Sequence, residues 1–421
     1  MYSKIISGIF ILALLLTCCV SEYDTALPEN NQKILFVDGS IIANTNVTFH
    51  ISRGFSLHVE SISKIPKESL NIDAKLTIIG SNGFQSPPAV KQLVKKRKGK
   101  EEWTEWEYRI AVGELSDDVK YGIQIEYDGD TYQSALSKPL YTPEIDSISW
   151  TQPEAEGPVF FHISTHDNTG GSKFYMWTYT EDWETKAVYP TPIFYDPNYS
   201  KPLGEEPFYV DFTMPLYYCW KKNESDKFSI GSTESLGENR IVNKLLFEHA
   251  SENDRFSILY SVIVNQRAIS RSAYEYYQNI KKLNEEMGGL FTPQPSELIG
   301  NISCITDPSK KVIGYVETVK NISHKRIFVE SEELIRPPVY SSCGRLPDVD
   351  LPQEAAQAYW YRLGYRPAVL NTSLYYEYGV VVPTEWALAH CTDCRATPPD
   401  YPDYEPVPTK NKPDFWPNWH W

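Results

Sequence analysis

Cysteine is the residue type here with the widest chemical reach. The chain holds seven, and five stand in its body: Cys219, Cys304, Cys343, Cys391 and Cys394. His390-Cys391-Thr-Asp-Cys394 together with Cys343 could supply four ligands to a metal. A zinc ribbon wants two CxxC pairs at knuckle spacing, however, and the chain offers one. A thioredoxin-like motif wants a βαβ context, which the sequence does not show. Covalent haem attachment needs a His after the second Cys, and here His390 precedes the first. In an oxidising compartment the default for such cysteines is disulfide formation, and five thiols cannot all pair internally. The preferred pairing joins Cys343 to the Cys391/Cys394 element and Cys219 to Cys304, leaving one thiol over. No metal or other cofactor is expected, with His390, Cys391, Cys394 and Cys343 as the weak metal alternative.

His162 and His166, with Asp167 adjoining, are the next group. An even spacing on a strand puts both imidazoles on one face, which would make half a metal site. Partly buried or surface histidines are the plainer reading. The chain lacks HExxH, GxSxG, the P-loop and GxGxxG, so no catalytic residue is assigned and the expectation is a non-enzymatic protein. Its 55 acids offer too many carboxylate pairs for any one to point to glycoside hydrolysis. Trp103/Trp106, Trp177/Trp183 and Trp416/Trp419/Trp421 could stack on sugar rings, against core packing as the plain alternative. The last three are the candidate ligand or partner contacts, because nothing local can bury them.

The elements that must position these residues are mostly strands. The composition is rich in Tyr (29), Phe (17) and Trp (11) with 30 Pro and only 4 Met, which favours strands, turns and edges. Alternations at Val47/Phe49/Ile51, Leu76/Ile78, Trp106/Tyr108/Ile110/Val112 and Tyr121–Tyr127, at roughly ten-residue spacing, suggest an immunoglobulin-like sandwich over residues 33–141. The basic run Lys95-Lys-Arg-Lys98 is placed in a hairpin loop. Leu140–Asp146 reads as an interdomain joint. A larger β-rich domain follows over 145–395, with one or two packed helices. One helix is expected over 272–287, with Ser272 and Glu275 as a capping box and Ala273, Tyr276, Tyr277, Ile280, Leu283 and Met287 as its buried stripe. Shorter helical patterns occur at Gln353–Leu363 and around Thr384–Ala389. Residues 396–421 form a Pro/Trp-rich tail that cannot make a core alone.

The N-terminus suggests where the chain works. Lys4 precedes an apolar run, Ile5–Leu16. That run reaches about 18 Å as a helix, short of the ~30 Å of a bilayer core. It reads as a secretory signal over 1–18. Leu16-Thr-Cys-Cys19 resembles a bacterial lipobox with Cys19 as the lipidated residue. Cys18 is the alternative, and an ordinary signal peptide with two incidental cysteines is the competing reading. Residues 19–32 form a tether, and its acidic Val20-Ser-Glu-Tyr-Asp24 stretch resembles the export signals of surface lipoproteins in the Bacteroidota. The expected location is therefore the outer membrane, lipid-anchored and facing outward. The net charge of −15 repels phosphate backbones, so nucleic acid is not an expected partner.

Several stretches in order carry a family resemblance. They are Val37-Asp-Gly39, Tyr260-Ser-Val-Ile-Val-Asn-Gln266, Gly288-Gly-Leu-Phe-Thr-Pro-Gln-Pro295, Gly300-Asn-Ile-Ser-Cys304, Val312-Ile-Gly-Tyr315, Lys325-Arg-Ile-Phe328 and Cys391-Thr-Asp-Cys394-Arg395, with the Phe415-Trp416 end. Together they make the chain resemble the DUF4249 lipoproteins of the Bacteroidota. The resemblance implies an N-terminal immunoglobulin-like domain and association with SusC-like TonB-dependent outer-membrane transporters. It supplies no catalytic residue. The function expected is that of a non-enzymatic accessory subunit of such a transporter, in cargo capture or barrel contact, with a glycan or a peptide as cargo. The alternatives are a glycan-binding surface lipoprotein and, behind it, a hydrolase or metalloprotein.

Overall fold

A computed structural model describes residues 34–54, 70–99, 101–189, 192–195, 208–210, 217–286, 298, 300–336, 343–344, 346–347, 360–370, 372–379, 383–398 and 405–418. The signal, Cys18, Cys19 and the whole tether lie outside them. Among the described residues no helix is long and apolar enough to cross a membrane. The protein is mainly β.

The first unit begins with β1 (Leu35–Asp38), β2 (Ile41–Ile42), β3 (Thr45–Arg53) and β4 (Lys75–Gly80). β5 (Val90–Lys98), β6 (Glu101–Val112), β7 (Tyr121–Tyr127) and β8 (Asp130–Ser134) follow. Their alternation works as read. Val47, Phe49 and Ile51 of β3 are buried while the residues between them face away. Tyr108 is fully buried, and its hydroxyl accepts the Ala74 N–H at 3.0 Å. The basic run Lys95–Lys98 lies in strand β5, not in a loop. Acids across the hairpin hold it there: Lys95 meets Glu102 at 2.5 Å and Lys96 pairs with Glu107. Gly99, at φ +57°, makes the turn.

The second unit contains β9 (Ile145–Thr151), β10 (Val159–His166), β11 (Phe174–Lys186), β12 (Ile193–Tyr195) and β13 (Phe208–Val210). These are followed by β14 (Tyr218–Glu224), β15 (Ser229–Ser232), β16 (Arg240–His249) and β17 (Leu259–Ala268). Helix α1 (Arg271–Glu286) comes next, then β18 (Ile302–Cys304), β19 (Val312–Gly314), β20 (Thr318–Val319) and β21 (Ser323–Glu330). One sheet runs β14-β11-β17-β21 with β15 also on β11, and a second runs β16-β10-β9. They share a core of Phe161, Trp177, Trp183, Phe256, Tyr260 and Val262 with their neighbours.

The first unit does not close over 33–141 alone. One of its sheets runs β19-β1-β3-β6-β5 and the other β18-β8-β7-β4, with β2 paired to β20. Ile302, Cys304, Val312 and Val316 sit in the same core as Val37 and Phe49. Residues 302–319, assigned from sequence to the second domain, thus complete the first. Two glycines admit them: a Cβ on Gly314 would strike the Val37 carbonyl, and one on Gly300 the Gly314 carbonyl. The joint at Leu140–Asp146 is also crossed by the returning chain. Leu140 bridges Val319, and Asn321 donates to the Thr142 carbonyl at 2.7 Å.

Helix α1 starts one residue earlier than expected, and its cap is Ser270, not Ser272. The Ala273 N–H donates to the Ser270 hydroxyl at 3.1 Å, and that hydroxyl donates to Glu317 at 2.5 Å. Ala273, Tyr276 and Tyr277 pack with Met176 and Ile230 as the stripe predicts; Met287 lies outside the described residues. The C-terminal part carries β22 (Leu346–Pro347), β23 (Tyr365–Leu370), α2 (Thr372–Tyr378), β24 (Pro383–Leu388) and α3 (Ala389–Thr392). The helical pattern around Thr384–Ala389 is instead a strand until Leu388, in antiparallel register with β23. Pro383 cannot donate within a helix, and Thr384 and Trp386 are strand formers. Of Gln353–Leu363, residues 353–359 lie outside the described residues and 360–362 are helical.

Candidate functional site

An antiparallel sheet with one apolar face presents polar residues on the other. In both units that second face is turned toward the neighbouring unit. On β3 and β6 it carries His50, Ser52, Trp103 and Glu105. On β11, β17 and β21 it carries Thr180, Asp182, Ile263 and Arg326. Between them lies a cleft of about 1430 Å³, with the edge strand β14 and the tail segment 406–415 as further walls. A second hollow of about 630 Å³ shares Asp38 and Asp226 with it and runs toward Arg267 of β17 and Tyr277 of α1.

Several of the charges of the cleft are held in pairs. Asp182 is buried and takes the Arg326 guanidinium at 3.3 Å; the same nitrogen donates to Ser261 at 2.8 Å. Burial raises the Asp182 carboxyl above its ordinary value, and Arg326 offsets only part of that. Arg326 also lies 3.5 Å over the Phe415 ring, which ties strand to tail. Opposite, Glu105 receives His50 at 3.3 Å and Lys96 at 3.8 Å. The His50 hydrogen bond holds its carboxyl below the usual range against the effect of burial. His50, Glu105 and Glu107 bring three potential metal-ligand atoms within 4.8 Å. Lys96 and Arg109 already neutralise Glu107, so that cluster reads as an ion-pair network.

Directly behind the cleft face, on the core side of β11, sits Glu181. It is 1% exposed. One carboxylate oxygen accepts from His249 at 2.6 Å and Tyr260 at 2.9 Å, with Arg255 at 3.3 Å; the other accepts from Asn223 at 2.8 Å. Burial alone would raise this carboxyl, but His249, Arg255 and Asn223 together hold it below the ordinary value. Arg255 further stacks on Trp183 at 4.4 Å. The cluster is a buried anchor joining the two sheets, with Asn223 as its link to the cleft wall.

The sequence candidates fall differently from their expectation. Trp177 and Trp183 are core residues, 1% and 0% exposed, and Trp416 is 4% exposed. The Trp416 indole donates to Glu184 at 3.1 Å, and its ring meets Phe328 edge-on. The tail thus buries Trp416 on the second unit, because the strand face beside Glu184 gives both an apolar seat and an acceptor. Trp419 and Trp421 lie outside the described residues. Trp103 and Trp106 do line the cleft, joined by Trp220 and Phe415.

Cys343 bonds to Cys391 and Cys219 to Cys394, while Cys304 is a buried free thiol. The Cys219–Cys304 pairing is therefore corrected. Cys304 belongs to β18 in the core of the first unit, and Cys219 sits on β14 of the second beside the C-terminal segment. Cys343, His390 and Cys391 do lie within ligand distance of one another. Sulfurs joined in a disulfide are not thiolate ligands, so the Cys343/His390/Cys391/Cys394 metal alternative does not fit. His162 and His166 both lie on the half-exposed face of β10, and His166 is held by Asp146 at 2.6 Å.

Sequence reasoning missed Glu181, Asp182, Arg326, His50 and Trp220. One signal was available: Thr180-Glu-Asp-Trp-Glu184 puts three acids into a long aromatic strand, where they need buried partners. A family model described as "Domain of unknown function (DUF4249)" matches residues 20–324. The resembling stretches from Lys325 onward lie beyond that match. No curated protein matches the chain.

Proposed function

The chain belongs to the DUF4249 family, and on that premise we propose that it is a surface-exposed outer-membrane lipoprotein. It acts as a non-enzymatic accessory subunit of a SusC-like TonB-dependent transporter. Cys19 carries the lipid, and the described body captures cargo for the barrel. The observation that carries this reading is the cleft of about 1430 Å³ between two polar sheet faces. Clefts between domains are common ligand sites. The paired carboxylates support binding in preference to acid–base work, since Asp182 and Glu105 are each engaged with a cation or His50. The two disulfides fit a chain that folds outside the cytoplasm.

The test is affinity purification of the tagged lipoprotein from its native membrane in gentle detergent. A TonB-dependent barrel should co-elute in comparable amount. A Cys19→Ser chain should lose the anchor and release the protein from the membrane fraction. Repeated elution of the anchored lipoprotein without any barrel would count against the proposal.

A further inference from the structure

We propose that the interdomain cleft takes an uncharged oligosaccharide; this rests on the capture reading and names its cargo class. The volume sets the size. About 1430 Å³ exceeds the roughly 300–1,000 Å³ of an ordinary small-molecule pocket, so the occupant is an oligomer and not a single sugar.

The charge balance sets the class. The whole chain carries −15, yet six Lys or Arg and six Asp or Glu line this cleft. Half of these charges are joined across the walls: Asp182 with Arg326, Glu105 with Lys96, and Glu224 with Lys222 at 2.8 Å. Lys221 is joined to Asp254 at 2.5 Å just beside them. A charged ligand would meet little net field, and at the paired groups it would have to displace an existing partner. A hydroxyl can donate to a paired carboxylate and accept from a paired ammonium while the pair stays intact. Ser52, Thr180 and Asn411 add neutral hydroxyl and amide groups to the same walls.

Aromatic rings complete the fit. Trp103 stands on the first unit, with its indole donating to Glu105 at 2.9 Å, and Trp220 and Phe415 stand on the second. Rings on opposite walls suit the apolar faces of successive sugar rings, whose edges carry the hydroxyls. Phe415 is 42% exposed and is fixed from one side by Arg326, so a rigid face is offered without further ordering cost. The C-terminal segment thereby becomes part of the recognition surface and not only a strap.

Calorimetry on the full mature chain tests this, using neutral linear gluco-, xylo- and manno-oligosaccharides. Oligogalacturonate and acidic and basic peptides serve as charged comparisons. At least one neutral saccharide should bind, with affinity changing by less than about twofold between low and high salt. Trp103→Ala and Phe415→Ala should each weaken it by about tenfold; using one variant from each unit guards against a folding defect in either. Binding of charged ligands alone, refusal of every neutral saccharide, or neutral binding indifferent to both variants overturns the inference. A barrel that co-purifies while saccharides are refused leaves the transporter role standing and removes this one.

Discussion

Replacing Glu181 by Gln keeps the side-chain shape and removes only the charge, so it isolates what the buried carboxylate does. The amide has one acceptor oxygen and one NH2 donor. Turned one way, the NH2 faces the His249, Tyr260 and Arg255 donors; turned the other, it faces the Asn223 amide donor. In the first pose donors confront each other, in the second Asn223 must turn its carboxamide, and in both Arg255, itself 7% exposed, loses its buried counter-charge. Breaking a buried pair in this manner costs about 3–5 kcal/mol. For a unit of this size each kcal/mol shifts the melting temperature by about 2–4 °C. The second unit should therefore melt about 6–20 °C lower than the parent at pH 7. Near-ultraviolet circular dichroism follows it, because the buried Trp177 and Trp183 lie in that core. Tyr260→Phe, which removes one of the donors, should cost about 1 kcal/mol. The pH dependence has a fixed sign. A carboxyl held below its ordinary value of 4.5 gives its full stabilisation above that value and loses it as pH falls through the lower folded value. The parent's advantage over Glu181→Gln should thus be constant near neutrality and shrink below pH 4.5. A variant melting within about 2 °C of the parent, or a gap that does not narrow in acid, would show that the buried carboxylate does not hold the two sheets in this way.

Glu317 should behave in the opposite sense. It is 2% exposed and burial raises its carboxyl, with Ser270 and Arg267 compensating in part. Glu317→Gln is expected to leave the melting temperature unchanged or raise it at pH 7, and the parent should recover as pH falls, measured by the same melts. Opening the Cys219–Cys394 bond with a paired Cys219→Ser/Cys394→Ser change should cost about 2–5 kcal/mol. It should also expose residues 395–418 to limited proteolysis, read by mass spectrometry, because that bond ties the C-terminal segment to β14. Trp416→Ala should destabilise the second unit by about 3–5 kcal/mol and leave Glu184 without its indole donor. A loss below about 1 kcal/mol in a chemical-denaturation series would show that the ring is not seated as described.

What the sequence disclosed follows from how local each signal is. Period-two alternation marked β3, β4, β6 and β7 because each strand covers an apolar core on one face only. The helix was legible from its stripe, but its start was misplaced: Ser270 and Ser272 are both competent caps, and distant Glu317 selects the first. The parallel pairing of β19 with β1 and of β20 with β2 leaves no local trace, since the partners lie far apart in sequence. The same holds for Cys219 and Cys394. Trp177 and Trp183 shared strand parity with Tyr175 and Tyr179, a pattern that already favoured a core face over a ligand platform. The cleft was hidden most completely. It is made of the ordinary polar faces of strands from two units, and only their confrontation gives them a common purpose.

The proposed transporter role requires this body to present its cleft to a barrel. Single-particle imaging of the detergent-solubilised native assembly measures that arrangement directly. The expected result is a β-barrel in register with the lipoprotein, with the mouth bounded by Trp103, Trp220 and Phe415 opening toward the barrel's outer vestibule. Particles of the lipoprotein alone, or a bound barrel with that mouth turned to bulk solvent, would contradict it.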